Sequence, residues 1–114
     1  MSEYRNIVIV QGETWEMTLC ATDQYGQPLD LTDYNVVMRM KESFHAKAYI
    51  ESHTEIVDPI KGEIRVWLDE TETRQIKPLR YVYDCILNGA LSTTNPLTMR
   101  FMDGIVSVMP SVSI

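Results

Sequence analysis

The two histidines of the chain, His45 and His53, stand eight positions apart and could form a metal-binding or acid–base pair. Such a pair needs a carboxylate or a thiol that the fold holds beside it. Glu42, Glu51 and Glu55 lie nearby in the sequence, but only as local charges without the spacing of a ligand set. We therefore expect solvated histidines on a loop or an edge strand.

The two cysteines, Cys20 and Cys85, are too few for a disulfide scaffold or a four-cysteine zinc site. Tyr83-Asp84-Cys85 resembles the Tyr-x-Cys pattern at the start of a late strand in immunoglobulin domains. Cys20, however, shares a polar face with threonine and glutamate, whereas Cys85 shares its face with tyrosine and leucine. Both could enter one core only across a bulge, so the sequence predicts two free thiols.

The acidic cluster of Asp69, Glu70 and Glu72 offers oxygen ligands of the kind that calcium prefers. It lacks the alternating acidic ladder, the central glycine and the distal glutamate of a calcium-binding loop. An acidic bias at the start of a helix accounts for it. The chain also has no Gly-x-Ser-x-Gly elbow and no glycine-rich phosphate loop, so we expect no catalytic residue, no metal and no cofactor.

The composition fits one globular domain that covers residues 1–114, with 45% hydrophobic residues and a net charge of -6. Sixteen acidic against ten basic residues disfavour a nucleic-acid partner, because that affinity depends on Lys and Arg. The apolar run at 7–10 is far too short to cross a membrane, and the amino terminus does not read as a secretory signal. We expect synthesis in a cytosol and no membrane contact.

Short strands dominate the pattern, because apolar and polar residues alternate with a period of two. The inward positions are expected to include Met17 and Leu19, then Val36, Met38 and Met40, then Ile64, Val66 and Leu68, then Tyr81, Tyr83, Cys85 and Leu87. A single helical turn is expected near 70–76, stopped by Pro78. Gly104 suggests a bulge or a tight turn inside the last strand pattern. Seven or eight short strands predict an all-β fold, an antiparallel sandwich or a small barrel.

The strand at 7–10 is apolar on both faces, and so in part is the strand near 105–109. A domain this small covers few strands on both sides, so the surplus face predicts a contact with another subunit. The candidate interface residues are Ile7, Val8, Ile9, Val10, Trp67, Val106 and Val108. The alternative is that the carboxy-terminal segment of the same chain covers this strand.

Aromatic residues suggest a second use of the surface, a sugar-stacking platform. Its candidate members are Trp67, on the outward face of its strand, and Tyr4, Tyr25, Tyr34 and Tyr49. Scattered tyrosines more often pack at the edge of a core, so carbohydrate or receptor binding is the competing hypothesis. Specific glycan binding that is lost in Trp67→Ala would favour it.

The order of motifs along almost the whole chain resembles the small immunoglobulin-like structural proteins of tailed bacteriophages, including the amino-terminal domain of baseplate upper proteins. The shared features are a Gly-x-Thr-aromatic start, a turn entering a strand, a threonine corner, a Tyr-x-Tyr-Asp strand and a final Gly- and Pro-bearing strand. Here these positions are Gly12, Thr14 and Trp15; Gly26, Pro28, Asp30, Leu31, Thr32 and Tyr34; Thr71 or Thr73; Tyr81, Tyr83 and Asp84; and Gly104, Val108 and Pro110.

The resemblance implies an immunoglobulin-like antiparallel β-sandwich that acts in assembly of the tail, baseplate or neck through protein–protein contacts. It implies other virion structural proteins as partners, with self-association as a further option, and a place in the virion after assembly in the host cytoplasm. A capsid decoration protein is an alternative of the same kind. No catalytic residue comes with the resemblance.

Overall fold

The structure, a computed structural model, describes residues 3–23, 25–89 and 98–111. Within these ranges the alternating segments form nine strands and the capped polar segment forms one helix. The elements are β1 (Glu3–Tyr4), β2 (Ile7–Val10), β3 (Trp15–Cys20), β4 (Asn35–Lys41), β5 (Ile50–Glu51), β6 (His53–Asp58), β7 (Glu63–Leu68), α1 (Glu70–Gln75), β8 (Arg80–Asn88) and β9 (Thr98–Met109).

The strands form two sheets with the apolar core between them. The large sheet has the order β1-β9-β8-β4-β5, with β2 also paired to β9, and the small sheet has the order β3-β7-β6. Counting β3 as the second strand of an immunoglobulin domain, the small sheet corresponds to strands B, E and D. The large sheet then holds C, F and G with an added C′, so the predicted immunoglobulin-like sandwich is confirmed.

One part of the topology differs from a purely antiparallel sandwich. Both β1 and β2 run parallel to β9, with Ile7 opposite Val106 and Ile9 opposite Val108. Alternation in β2 indicates only that it is a strand, because the direction of pairing depends on a partner about a hundred residues away in the chain.

The core follows the predicted parity of the strands. β4 buries every second residue from Val36, β7 from Ile64 and β8 from Tyr81. The buried apolar residues form one cluster, to which β2, β3 and β9 also contribute. Each strand of the sandwich thus presents one face to the opposite sheet, as sheet packing requires.

The irregularity in β9 lies elsewhere than at Gly104, where the sequence suggested it. Pairing passes from Cys85–Met102 directly to Ile86–Arg100, which leaves Phe101 as the extra residue of a bulge. Gly104 remains inside the strand, and a side chain there would collide with the carbonyl oxygen of Arg5. This glycine therefore permits a close backbone approach rather than a turn.

The turn at 21–31 and the helix use their polar residues for local hydrogen bonds. The Asp30 carboxylate accepts from the Thr32 amide at 3.0 Å and its hydroxyl at 2.6 Å, while Leu31 is buried beneath the turn. In α1, the Asp69 carboxylate accepts from the Glu72 amide and Glu72 accepts from the Asp69 amide, a reciprocal capping box. The acidic cluster therefore caps the predicted helix.

Two tyrosines of β8 tie distant segments to the core. The Tyr81 hydroxyl donates to the carbonyl oxygen of Lys77 at 2.8 Å, the bond that defines a tyrosine corner. The Tyr83 hydroxyl instead donates to the Arg5 carbonyl oxygen at 2.6 Å, and burial raises the pKa of this phenol. The corner is thus formed by Tyr81, four positions before Cys85, and not by the Tyr83 of the Tyr-x-Cys pattern.

Candidate protein interface

The large sheet turns one face toward the core and the other away from it. We call the second the outer face, and it is formed by the residues that alternate with the buried ones on β2, β4, β8 and β9. Its central residues are Val8, Val37, Arg39, Lys41, Val82, Asp84, Ile86, Arg100, Asp103 and Ile105. Each of them is half-buried or exposed.

Apolar residues lie opposite each other in two rows of this face. Val37 pairs with Ile86, and Val82 pairs with Ile105 on the next strand. Val8, which is 62% exposed, extends the apolar surface onto β2. A solvated sheet face normally carries polar residues at these positions, so a surface of this kind indicates contact with another protein.

A row of charges separates the two apolar rows. The Arg39 guanidinium donates to Glu51 at 2.7 Å and lies 4.4 Å from the centre of the Tyr49 ring. That hydrogen bond, with the nearby negative charges, raises the pKa of Arg39, so the group is always charged. Arg39 also stands opposite Asp84, and Asp84 stands opposite Asp103.

The two carboxylates at the middle of the row repel each other. Like charges directly opposite on neighbouring strands destabilise a sheet. Among the residues that the structure describes, neither Asp84 nor Asp103 is in an ion pair within 4.0 Å. A cation supplied by another molecule would neutralise this pair.

A hollow of about 240 Å³ lies in the same face. Phe44, from the loop after β4, forms one wall and is 76% exposed. Val82 and Ile86 provide apolar lining, and Arg39, Lys41, Asp84 and Arg100 surround them with charge. An exposed aromatic beside an apolar hollow with a charged rim is the composition of a protein-binding surface.

A larger groove of about 520 Å³ lies between α1 and the loop that leads into β5. Its apolar lining includes Met40, Leu68 and Ile76, and Lys41, Glu42 and Glu72 bring charges of both signs to it.

Across the described ranges, no group of three or more His, Cys, Asp or Glu side chains could hold a metal ion.

The predicted interface set divides in two. Ile7, Ile9, Val106 and Val108 are buried in the core of the chain itself and are not on its surface. Pairing with β9 places β2 in the large sheet, so the face that carries Ile7 and Ile9 packs in the core between the two sheets. Val8 remains exposed and Val10 and Trp67 are half-exposed, so a contact of these three residues with another subunit remains a prediction.

Trp67 lies on the opposite side of the molecule, on the outward face of the small sheet. Its ring stacks on His53 with 5.4 Å between ring centres, and the Arg65 guanidinium lies 4.2 Å from the ring centre. His53 in turn is held by the Glu72 carboxylate at 2.8 Å. His53 therefore has a carboxylate partner that the sequence spacing did not reveal. The Trp67 ring, which a sugar would have to stack on, is already in contact with His53 and Arg65.

The tyrosines proposed as companions of Trp67 lie on different elements. Tyr4 is on β1 and Tyr49 precedes β5, at opposite edges of the large sheet, and Tyr25 is in the turn after β3. Only Tyr49 has a described ring contact, with Arg39 on the outer face. These positions provide no shared stacking platform with Trp67.

Both cysteines are free thiols, as the strand parity predicted. Cys85 is buried, and this burial raises the pKa of its thiol to about 12, with a further contribution from the Asp84 charge. Cys20 is exposed and donates to the Lys61 carbonyl oxygen at 3.4 Å. A thiol with a raised pKa is a poor nucleophile at neutral pH, so Cys85 packs as a small apolar residue.

The central part of the outer face is what the sequence prediction missed. A usable signal was present, because β8 has apolar residues on both faces: Tyr81, Tyr83 and Leu87 inward, Val82 and Ile86 outward. Apolar residues on both faces, the feature that distinguishes residues 7–10, also distinguish β8. The contribution of Phe44 had no such signal, because it follows the end of β4 in a loop.

The fold is an immunoglobulin-like sandwich whose large sheet has a partly apolar outer face. The family model described as the BppU N-terminal domain matches residues 6–75, which is more than half of the chain. The chain therefore belongs to this family, the amino-terminal domain of phage baseplate upper proteins, and it is a structural protein of the phage baseplate type.

The other comparisons are more distant. No curated protein matches the chain. A solved protein assigned as a glycoside hydrolase from Bacteroides vulgatus is similar to it with 10% identity and a TM-score of 0.43, over 92% of this chain and only 16% of that protein. A structure from a photo-crosslinking study of cell-adhesive interactions of VGSC beta subunits has 8% identity and a TM-score of 0.41, over 95% and 92% of the two chains. Neither similarity bears on the function.

No helix in the described ranges is long and apolar enough to span a membrane.

Proposed function

We propose that this protein joins neighbouring subunits of a phage baseplate through protein–protein contacts and catalyses no reaction. The observation that supports this function is the outer face, where Val37–Ile86 and Val82–Ile105 form apolar rows on a sheet side that its own chain leaves half-exposed. Such surfaces are stabilised when another protein covers them.

The partners in this proposal are other virion structural proteins, including further copies of this chain, and residues 1–114 act as one domain. The net charge of -6 disfavours nucleic acid, and it keeps free subunits soluble in the host cytoplasm before assembly. A capsid decoration role has the same chemistry, but the family match favours the baseplate. Carbohydrate binding has less support, because side chains of the same sheet contact the Trp67 ring.

Incorporation into virus particles tests the proposal. In a phage that lacks the gene, wild-type protein and variants are supplied from a plasmid, and purified particles are analysed by quantitative mass spectrometry. We expect Val8→Asp to fold with an unchanged melting temperature, because Val8 is exposed, but to be depleted from particles at least tenfold. Val82→Lys should give the same result.

Thr18→Asp is the matched control, since it places a new charge on the outward face of the small sheet. It should incorporate as well as the wild type. Absence of the wild-type protein from purified particles would contradict the baseplate role. Equal incorporation of Val8→Asp, Val82→Lys and Thr18→Asp would show that the outer face is not the contact surface.

A further inference from the structure

We propose that the outer face binds a second copy of this chain, face to face, about a two-fold axis that runs along the strands between β4 and β8. The inference rests on the proposed function, since it assigns one partner to the surface described above. It commits to an isologous dimer, in which the same patch on each copy meets itself.

The register of β4 and β8 makes this face complementary to itself. Across the line between the two strands, Val37 faces Ile86 and Arg39 faces Asp84. A half-turn about that line places Val37 of one copy on Ile86 of the other, and Arg39 of one copy on Asp84 of the other. Each contact then occurs twice, with an apolar group on an apolar group at the first position and a cation on a carboxylate at the second. At the third position of the same register Lys41 lies over Val82, which its aliphatic stem can cover while the ammonium group reaches solvent.

The charges of the face favour a copy of this chain over an unrelated partner. Asp84 stands beside Asp103, and among the described residues neither has an ion pair within 4.0 Å, although Arg39 of the same chain acts on Asp84 from a longer distance. A second cation at Asp84 would offset the charge of the two neighbouring carboxylates. Arg39 of the second copy supplies that cation in the half-turn arrangement. Glu51 approaches the Asp103 of the other copy, but Glu51 is already hydrogen-bonded to Arg39 at 2.7 Å.

The whole chain carries a net charge of -6, which opposes self-association through most of its surface. The outer face is an exception, because Arg39, Lys41 and Arg100 balance Asp84, Asp103 and Glu51. Phe44 and the hollow beside it add an exposed aromatic and a concave receiving surface to the same patch. Two copies that meet here therefore bring together balanced charges and apolar rows.

Sedimentation equilibrium of the full chain tests the proposal with two charge reversals. Wild-type protein should form dimers below about 1 mM. Arg39→Asp places a carboxylate against Asp84 of the other copy, and Asp84→Arg places a cation against Arg39. Each variant alone should weaken the dimer about a hundredfold or more, because like charges meet at two contacts.

Mixing the two variants in equal amounts should restore dimers. In the mixed dimer the new carboxylate of Arg39→Asp meets the new cation of Asp84→Arg, and the second contact keeps the native pair. Restoration cannot come from repair within one chain, because each chain keeps its own substitution. Lys61→Asp and Glu63→Arg change the net charge by the same amounts away from the outer face, and they should dimerise like the wild type.

Thermal melts of all variants verify folding before association is scored. A wild-type chain that stays monomeric up to about 1 mM overturns the proposal. So does a mixture of folded variants that stays monomeric, because it removes the specific Arg39–Asp84 contact. Either result overturns the dimer but leaves the baseplate role intact if the protein is still present in purified particles. The dimer and the baseplate role are therefore tested independently of each other.

Discussion

The Thr73 hydroxyl joins α1 to the turn between β2 and β3, and its removal is the perturbation with the clearest structural expectation. Thr73 is fully buried, and its Oγ1 accepts from the Gly12 amide at 3.0 Å and donates to the Glu13 carbonyl oxygen at 2.9 Å. Thr73→Val keeps the shape of the side chain but leaves that amide and that carbonyl without this partner.

The expected loss follows from the cost of unpaired polar groups. A buried donor or acceptor left unsatisfied costs about 1–3 kcal/mol. The Gly12 amide carries most of this cost, since the Glu13 carbonyl belongs to an exposed residue that water can reach. We expect Thr73→Val to lower the free energy of unfolding by about 2–4 kcal/mol in total.

Thermal unfolding followed by circular dichroism measures this loss. For 114 residues the unfolding entropy is about 0.24 kcal/mol per degree, so the melting temperature should fall by about 8–17 °C. Thr71→Val is the matched control, because Thr71 is exposed on the same helix, and it should change stability by less than about 0.5 kcal/mol. If the two variants melted at the same temperature, the hydroxyl bridge would contribute nothing and the reasoning would be refuted.

Three further predictions concern backbone and thiol chemistry. Gly62→Ala should cost roughly 2–4 kcal/mol in urea denaturation, because Gly62 has φ +68° and a new Cβ would lie 2.6 Å from the Ala21 carbonyl oxygen. Gly26→Ala is the control: Gly26 has φ +79° but open space around it, so this change should cost only about 1 kcal/mol. Equal costs would show that the contact with the Ala21 carbonyl contributes nothing. In a thiol-reagent titration the native protein should show one fast-reacting thiol, Cys20, and the denatured protein two; rapid modification of native Cys85 would contradict its burial. The contribution of Cys85 to the free energy of unfolding should be constant below the ordinary thiol pKa of about 8.5. Above it the contribution should fall by up to about 1.4 kcal/mol per pH unit, because Cys85 ionises in the unfolded chain but keeps its proton in the folded one, where its pKa is about 12. Urea midpoints between pH 8 and 9.5 measure this slope, and Cys85→Ala should make it shallower; an unchanged slope would show that the thiol does not cause it.

The candidate interface could be predicted from sequence only in part. A strand with apolar residues on both faces was the right signal, but it cannot say which face the chain covers for itself. At β2 the inward pair Ile7 and Ile9 packs in the core, and of the two outward residues Val8 is the more exposed. At β8 the outward Val82 and Ile86 become part of an apolar surface only because Ile105 and Val37 lie opposite them on neighbouring strands. These two partners are far away in the sequence.

The choice between the two tyrosines of β8 shows the same limit. Tyr81 and Tyr83 have the same parity and both are buried, as alternation predicted. Which hydroxyl forms the corner depends on the acceptor that each one reaches, the Lys77 carbonyl for Tyr81 and the Arg5 carbonyl for Tyr83. No local sequence pattern predicts where the Arg5 carbonyl lies relative to β8.

The sequence by itself determined most of the strands, the inward residues of β4, β7 and β8, the capped helix after Asp69 and the absence of a disulfide partner for Cys20. These features depend on a residue and its neighbours within a few positions, through the period of a strand and the hydrogen bonds of a cap. Only the tertiary structure decided the parallel pairing of β2 with β9, the bulge at Phe101 and the surface that remains for a partner. Those features are contacts between segments distant in the chain, so their geometry exists only once both sheets have formed.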